Sequence, residues 1–223
     1  MTPHEAGRTR REKQKAETRT QILESARRLF AEKGYRQATI RDVAGEAGVA
    51  LGTIFTHFPD KEALLSAALI DELDRDFQRS WETIPVETGI REQMLHLAVE
   101  GYRSWLNRSN RDRELLRKIC FTQGPARDEL KFIDRGAVEQ MQRLLDAARL
   151  RGEIRSDTDT EIAARTAFSM YLVNILYWLD DYEGDGKAGE HDAAGDKRME
   201  AIVEDTRRFI GLLFRGMGHD TDR

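Results

Sequence analysis

Nearly the whole chain carries the pattern of amphipathic helices. Its 223 residues include only four prolines, and Ala, Leu, Glu and Arg are abundant. Apolar residues recur at intervals of three and four, which is the spacing of one helix face, and the sequence has none of the alternating Val, Ile and Thr runs that indicate strands. The sequence therefore predicts an all-α protein.

Cysteine usage and the N-terminal composition bear on location. Cys120 is the single cysteine and cannot form an intramolecular disulfide, and the first residues are charged rather than apolar. Nothing in this pattern indicates secretion, so we expect a cytoplasmic protein. The longest uncharged apolar stretch, residues 166–179, is shorter than the roughly 18 residues that span a bilayer and predicts a buried helix.

Charge is distributed unevenly along the chain. The net charge is −4, but residues 1–62 carry 12 Lys and Arg against 9 Asp and Glu, which leaves −7 for the remainder. A basic N-terminal segment followed by an acidic remainder is compatible with one surface that binds a polyanion. Lys and Arg on solvated helix faces are the commoner explanation of such an excess, so charge alone does not indicate nucleic acid.

The first third of the chain predicts short helices with defined ends. Residues 1–12 are polar and basic and predict a flexible arm, followed by a helix that ends at Gly34. Thr39, with Asp42 three residues on, predicts the N-cap of a short helix. This short helix is predicted over 40–47 and breaks at Gly48, and a second is predicted over 51–58 and stops before Pro59. Asp60 is then the expected cap of a long helix, whose inner face carries Leu65, Leu69, Leu73, Phe77 and Trp81.

Two short helices separated by a glycine turn are the ingredients of a helix-turn-helix unit. The residues expected to face the core are Ile40, Val43, Ala47, Val49, Ile54 and Phe58, and those expected outside are Ala50, Leu51, Gly52, Thr53, Phe55, Thr56 and His57. Small outward residues allow the second helix to approach the major groove, where Thr53 can reach a base edge or phosphate. A plain helical hairpin, with small residues for packing only, is an equally good interpretation of the spacing.

The same region resembles the TetR/AcrR family signature over about residues 15–65. The matching positions are Gly34, Tyr35, Thr39, Ile40, Val43, Ala47, Gly48, Val49, residues 52–61 and Leu64. The resemblance implies a three-helix DNA-binding domain, a two-fold dimer, a helical ligand domain and, by default, repression. It implies DNA contacts at Thr39, Arg41, Gly52, Thr53, Phe55, Thr56, His57 and Lys61, to which the outward position of Ala50 is added. Position 55 is often Tyr in the family, and Phe55 lacks the hydroxyl that would donate to a phosphate.

Lys61 is expected in the first turn of the long helix, where the helix dipole disfavours a cation. A nearby phosphate would offset this, and the alternative is a solvated lysine without a partner. Four basic residues in and next to the arm are candidates for phosphate or minor-groove contacts: Arg10, Arg11, Lys13 and Lys15. The alternative is a disordered arm that makes no contact with DNA.

The remainder of the chain predicts a second, larger helical domain. We expect a DNA-binding domain over 13–62 and a ligand-binding and dimerisation domain over 63–223. Helices are predicted at about 90–107, 111–122, 126–151, 158–182 and 194–217, with a mobile loop over 183–195 that is rich in Gly, Asp and Ala.

The second domain contains candidates for a ligand pocket but no specific motif. The candidates are Tyr102, Trp105, Phe121, Phe168, Tyr171, Asn174 and Trp178. Ordinary core packing is the commoner explanation of each, because aromatic residues at helical spacing are typical of cores. Asn174 is more informative because it stands in an apolar run, and a buried amide needs partners that a ligand could supply. Small residues on the last two helices predict the dimer-forming pair: Ala163, Ala164, Ala167 and Val203.

Catalytic and metal motifs are not found in the sequence. The five histidines are scattered, and the one metal-like pair, His96 and Glu100, lacks further ligands nearby. We therefore expect no cofactor, no metal and no enzymatic activity. The expected function is a ligand-responsive regulator, a homodimer released from a palindromic operator by a small molecule. An architectural DNA binder and an all-helical hydrolase are the alternatives.

Overall fold

The computed structural model describes residues 10–106, 108, 110–121, 123–180 and 193–217. Every regular element within these ranges is a helix, which confirms the predicted all-α class. The helices are α1 (Arg10–Gln37), α2 (Ile40–Glu46), α3 (Leu51–His57), α4 (Lys61–Glu82), α5 (Ile90–Leu106), α6 (Asn110–Phe121), α7 (Pro125–Leu150), α8 (Thr160–Asp180) and α9 (Ala193–Met217). None of these helices, within the described ranges, has the length and apolar character needed to cross a membrane.

The beginning of α1 differs from the predicted arm. The helix starts at Arg10, so the four basic arm candidates lie exposed on its first turns instead of on a flexible segment through residue 12. The rest of the arm, residues 1–9, lies outside the described part of the chain. Near its other end Gly34 adopts φ 73° and ψ 152°, so regular helix stops at the predicted residue.

The chain forms two compact units, residues 1–72 and 73–223. The division falls inside α4, later than the boundary predicted after residue 62. The sequence boundary followed the motif, whereas the first turns of α4 pack into the core of the first unit. Helix α4 therefore contributes to both units.

The first unit has one apolar core, built from the faces that the periodicity predicted. Its buried members include Ile22, Leu23, Ala26, Leu29, Val43, Ala47, Ile54, Phe58 and Leu64, with Phe30, Ile40 and Val49 partly buried against them. Replacing the fully buried Ile54 by Ala would cost about 2–5 kcal/mol of stability. This core holds α1, α2 and α3 together.

The second unit is a bundle of the longer helices. Helix α7 packs on α8, α5 on α9, and α6 on α7. One core cluster includes Ile90, Met94, Leu145, Ala148, Ile154, Ala163, Ala164 and Phe214. Ala163 and Ala164 are thus buried inside the unit and present almost no surface to a second protomer. Most of the loop predicted over 183–195 lies outside the described residues.

Candidate DNA-binding surface and ligand cavity

Helix α2 begins with the predicted capping box. The Thr39 backbone N–H donates to Asp42 Oδ2 at 2.8 Å, and the Asp42 backbone N–H donates to Thr39 Oγ1 at 3.1 Å. The Thr39 hydroxyl also donates to Asp42 Oδ2 at 2.7 Å. These bonds hold the pKa of Asp42 below its usual value. Because its hydroxyl proton is engaged, Thr39 would have to release Asp42 in order to donate to a phosphate.

The turn between α2 and α3 depends on Gly48. The residue adopts φ 64°, a left-handed conformation that side chains disfavour. Its N–H donates to the Gly45 carbonyl at 3.2 Å, and the Val49 N–H donates to the Ala44 carbonyl at 3.0 Å. This pair of bonds is the Schellman arrangement that ends a helix. It turns the chain so that Val49 packs against the core and α3 can start.

Helix α3 has one buried face and one open face. Ile54 and Phe58 are buried in the core, whereas Leu51 is 38% exposed and Phe55 49% exposed. A Cβ added to the exposed Gly52 would meet no atom within 4 Å among the described residues. Packing within the chain therefore does not require glycine at position 52. The hairpin interpretation, in which this glycine is small for packing, loses its main support.

The polar residues of α3 are only partly available for contacts. Thr56 Oγ1 donates to the Gly52 carbonyl at 3.0 Å. His57 is half-buried, and its pKa is lowered by burial and then by the positive charges of Lys15 and Arg19. Helix α1 thus brings two basic side chains near the end of α3. Lys15 is a candidate from the sequence, whereas no motif points to Arg19, whose guanidinium lies 5.4 Å from the Phe58 ring centroid.

Lys61 has an internal partner that the sequence analysis did not foresee. Its Nζ donates to the Tyr35 carbonyl oxygen and lies 4.1 Å from the Tyr35 ring centroid. Tyr35 follows the kink at Gly34, where a helix end presents its negative dipole. This carbonyl and ring offset the unfavourable position of Lys61 at the start of α4. Asp60 caps α4 as predicted, since its Oδ1 accepts from the Ala63 N–H at 2.7 Å.

The second unit encloses a cavity of about 130 Å³. Seven aromatic side chains form much of its wall: Phe77, Trp81, Tyr102, Trp105, Phe168, Tyr171 and Phe209. Met94, Met141 and Met170 add adaptable apolar surface. The space is therefore an apolar, mainly aromatic chamber.

Four of the seven predicted pocket residues line this cavity: Tyr102, Trp105, Phe168 and Tyr171. Phe121, at the end of α6, is 77% exposed and is not among the residues that line this cavity. Asn174 is buried but lies outside the wall, and its Nδ2 donates to the Tyr102 hydroxyl at 3.0 Å. The side chain of Trp178 lies outside the described part of the structure.

Helix α4 supplies wall residues that the sequence analysis had assigned to core packing only. Leu73, Phe77 and Trp81 belong to its predicted inner face and line the cavity. Periodicity identified that face, but it carries no information on whether the space opposite is filled. Asp76 and Ser80, between them on the same helix, also line the cavity and had no signal in the sequence.

Asp76 is paired inside the second unit. Arg108, whose side chain is 4% exposed, donates from Nη2 to Asp76 Oδ2 at 2.7 Å and to Ser104 Oγ at 3.0 Å. The Ser104 hydroxyl in turn donates to Asp76 Oδ2. The carboxylate at the cavity wall is therefore matched in charge by a buried guanidinium.

The two cavity tyrosines are held tightly. Burial raises the pKa of both Tyr102 and Tyr171, so their hydroxyls stay neutral. A Cβ on Gly101 would lie 2.2 Å from the Tyr171 hydroxyl oxygen, so only glycine at this position leaves room for that ring. The rings of Tyr102 and Tyr171 lie 5.1 Å apart.

The described ranges contain no cluster of three His, Cys, Asp or Glu residues that could hold a metal ion. His96 Nε2 lies 3.1 Å from the Thr83 hydroxyl, and Glu100 pairs with Arg103. The pair considered as metal ligands in the sequence analysis thus has other partners. Burial raises the pKa of the Cys120 thiol, which disfavours the reactive thiolate.

A helix-turn-helix with an open second helix in one unit, and an aromatic cavity in the other, define the class of ligand-responsive DNA-binding regulators. Known proteins support this class. Residues 22–68 match the family described as "Bacterial regulatory proteins, tetR family". The chain is 31% identical over 140 residues to the HTH-type transcriptional repressor AcnR of Corynebacterium diphtheriae, which covers 62% of this chain and 71% of that protein.

A second relative agrees with this assignment, and a solved structure shares the fold. The HTH-type transcriptional repressor BepR of Brucella suis is 29% identical over 176 residues, which cover 76% of this chain and 84% of BepR. The crystal structure of the transcriptional regulator FadR from Bacillus subtilis in complex with stearoyl-CoA superposes with a TM-score of 0.56 at 21% identity, over 86% of this chain and 96% of FadR. The chain belongs to the TetR family of transcriptional regulators.

Proposed function

We propose that the protein is a cytoplasmic homodimeric repressor that binds a palindromic operator and is released by a small molecule held in the aromatic cavity. The observation that carries the proposal is the open face of α3. Gly52 is exposed there, and a Cβ added to it would meet no described atom within 4 Å beyond its own turn of helix. A helix without side-chain bulk at that position can approach base edges in the major groove.

The contacts to DNA divide into two kinds. Thr53, Phe55 and the glycine face of α3 are proposed to meet base edges, including thymine methyl groups. Basic side chains are proposed to meet phosphates, from Lys61 of α4 and from Arg41 of α2, which is exposed. Lys15 and Arg19 join this set, since both lie near His57. Ala50, Thr56, His57 and Thr39 complete the proposed contact surface.

Dimerisation is proposed to use the outer faces of α8 and α9, which pack on each other. Ile162 and Val173 of α8 are exposed, as is Leu212 of α9. Apolar side chains that share adjoining helices and face outward favour burial against another copy. This replaces Ala163 and Ala164, which are buried in the unit's own core.

Helix α4 is proposed to couple ligand binding in the cavity to release of the operator DNA. Its first half packs in the first unit through Leu64, Ala67 and Ala68, and its second half lines the cavity through Phe77 and Trp81. A ligand that displaces the second half is proposed to move the first half with it and so to change the separation of the two α3 helices in a dimer. Coupling of about 1–3 kcal/mol would change operator affinity by roughly 5- to 150-fold.

A selection from random duplex DNA tests this function. The full-length protein should enrich a two-fold palindrome, with half-sites about 34–36 Å apart or a multiple of that distance, because a symmetric dimer presents two α3 helices. Enrichment of a single unpaired half-site would contradict the dimer. Retention of DNA without sequence preference would instead indicate an architectural DNA binder.

A further inference from the structure

We propose that the cavity selects neutral, single-ring aromatic molecules that carry one hydrogen-bond acceptor, to which the indole N–H of Trp81 donates. This inference rests on the proposed function, in which the cavity is the ligand site. It adds the chemical class of the ligand and the residue that recognises its polar group. Three properties of the cavity support this inference: its volume, the charges at its wall and the indole N–H of Trp81.

The size of the cavity limits the ligand. Its volume is about 130 Å³. An engineered apolar cavity of about 150 Å³ binds benzene, so one aromatic ring with a small substituent is the matching size. The walls favour a ring as well, because aromatic side chains such as Phe77 and Phe209 can pack edge-to-face or offset against it.

The charge of the cavity disfavours an ion. Among the described lining residues Asp76 is the one carboxylate, and none is Lys, Arg or His. An anionic ligand would therefore meet no cation among the described residues of the wall. A cationic ligand would have to compete with Arg108, which already pairs with Asp76 at 2.7 Å. Burying an ion without a partner is strongly unfavourable, so a neutral molecule is preferred.

One wall residue, Trp81, carries a polar atom that has no acceptor within the described part of the chain. Trp81 Nε1 is buried, and no described atom of the protein accepts its proton. The other polar side chains around it are occupied: the Ser80 hydroxyl donates to the Phe77 carbonyl at 2.7 Å, and Ser104 donates to Asp76. A buried N–H without an acceptor is unfavourable until a ligand oxygen supplies one. The proposed ligand oxygen, a ketone, ester or ether, fills this role.

Four probes of similar shape separate these properties. Acetophenone is neutral with an acceptor, ethylbenzene is neutral without one, benzoate is an anion, and 1-phenylethylamine is a cation at neutral pH. Binding to the full-length protein is measured without DNA by ligand-observed NMR titration. Acetophenone should bind at least tenfold more tightly than either ion. An ion that binds as tightly as acetophenone, or a failure of acetophenone to bind, would overturn the proposal.

The donor is tested by Trp81→Phe, which keeps an aromatic ring and removes the N–H. Acetophenone affinity should fall three- to tenfold more than ethylbenzene affinity, because only acetophenone loses a hydrogen bond. Trp105→Phe is the matched control, since Trp105 is engaged with Tyr171 and its loss should affect both probes alike. Equal effects of Trp81→Phe on the two probes would overturn the role of Trp81. Thermal unfolding by circular dichroism verifies that both variants fold.

These titrations are independent of the proposed operator binding. Absence of a palindrome in the DNA selection would contradict the regulator function and leave the probe affinities as measured. Probe results contrary to those expected would overturn the ligand class and leave the DNA result in place.

Discussion

Lys61 shows how one side chain can serve the fold and the function together. Its ammonium group donates to the Tyr35 carbonyl and lies over the Tyr35 ring, which braces α4 against the end of α1. An ammonium group has three donors, so this bond leaves capacity for a phosphate. The bracing role and the DNA contact proposed for Lys61 are therefore compatible, and they can be measured separately.

The variant Lys61→Met keeps the aliphatic stem and removes the charge. We expect the free energy of unfolding to fall by about 1 kcal/mol, because a charge-assisted bond in a half-exposed position is lost. We also expect the slope of log affinity for DNA against log salt to weaken by about 0.9, for one lost phosphate contact. Chemical denaturation and binding titrations at several salt concentrations measure the two effects.

Lys131→Met is the matched control, because Lys131 is exposed on α7 in the other unit. It should leave both quantities within error of the parent protein. A Lys61→Met protein with lower stability and an unchanged salt slope would assign Lys61 to bracing alone.

Individual residues also show where sequence reasoning stops. Asn174 was singled out as a buried amide in need of a partner, and burial was correct. Its partner, the Tyr102 hydroxyl, lies 72 residues away in the chain and could not be identified from local spacing. The same holds for Lys61 and Tyr35. Contacts between distant residues depend on how helices pack, which periodicity does not encode.

At the scale of elements, the α2–α3 connection was predictable because its signals are local. A cap at Thr39, a left-handed glycine at position 48 and an apolar residue at position 49 each act within a few residues. The start of α1 was not predictable in the same way, since a polar, basic stretch is compatible with an arm or with an exposed helix. The structure shows a helix from Arg10.

Gly48→Ala tests the turn. Residue 48 has φ 64°, and a Cβ added there would meet no described atom within 4 Å. The change to alanine therefore introduces backbone strain without a clash. We expect the free energy of unfolding to fall by about 1–2 kcal/mol. Gly45→Ala, in the exposed part of α2 and without a positive φ, should instead raise it by about 0.5–1 kcal/mol. Denaturation curves that shift equally for the two variants would contradict this account of the turn.

At the scale of the whole molecule, the predicted helices and cores were largely correct, whereas the cavity was only half predicted. Phe77 and Trp81 were placed on the inner face of α4, but the sequence could not distinguish a filled core from an empty space. That difference depends on the summed side-chain volumes of five helices. The division of α4 between two units was missed for a similar reason, since the motif ends before the first core does.

The central claim is that the open face of α3 enters the major groove, and Gly52→Leu tests it most directly. The measurement is the affinity of the variant for the palindrome obtained by DNA selection. Its matched control is Gly136→Leu on α7, where a Cβ also meets no described atom within 4 Å. We expect the Gly136→Leu protein to bind like the parent, and Gly52→Leu to lose roughly 1000-fold, to the level of random DNA. A folded Gly52→Leu protein that binds the palindrome with parental affinity would show that α3 does not lie in the groove.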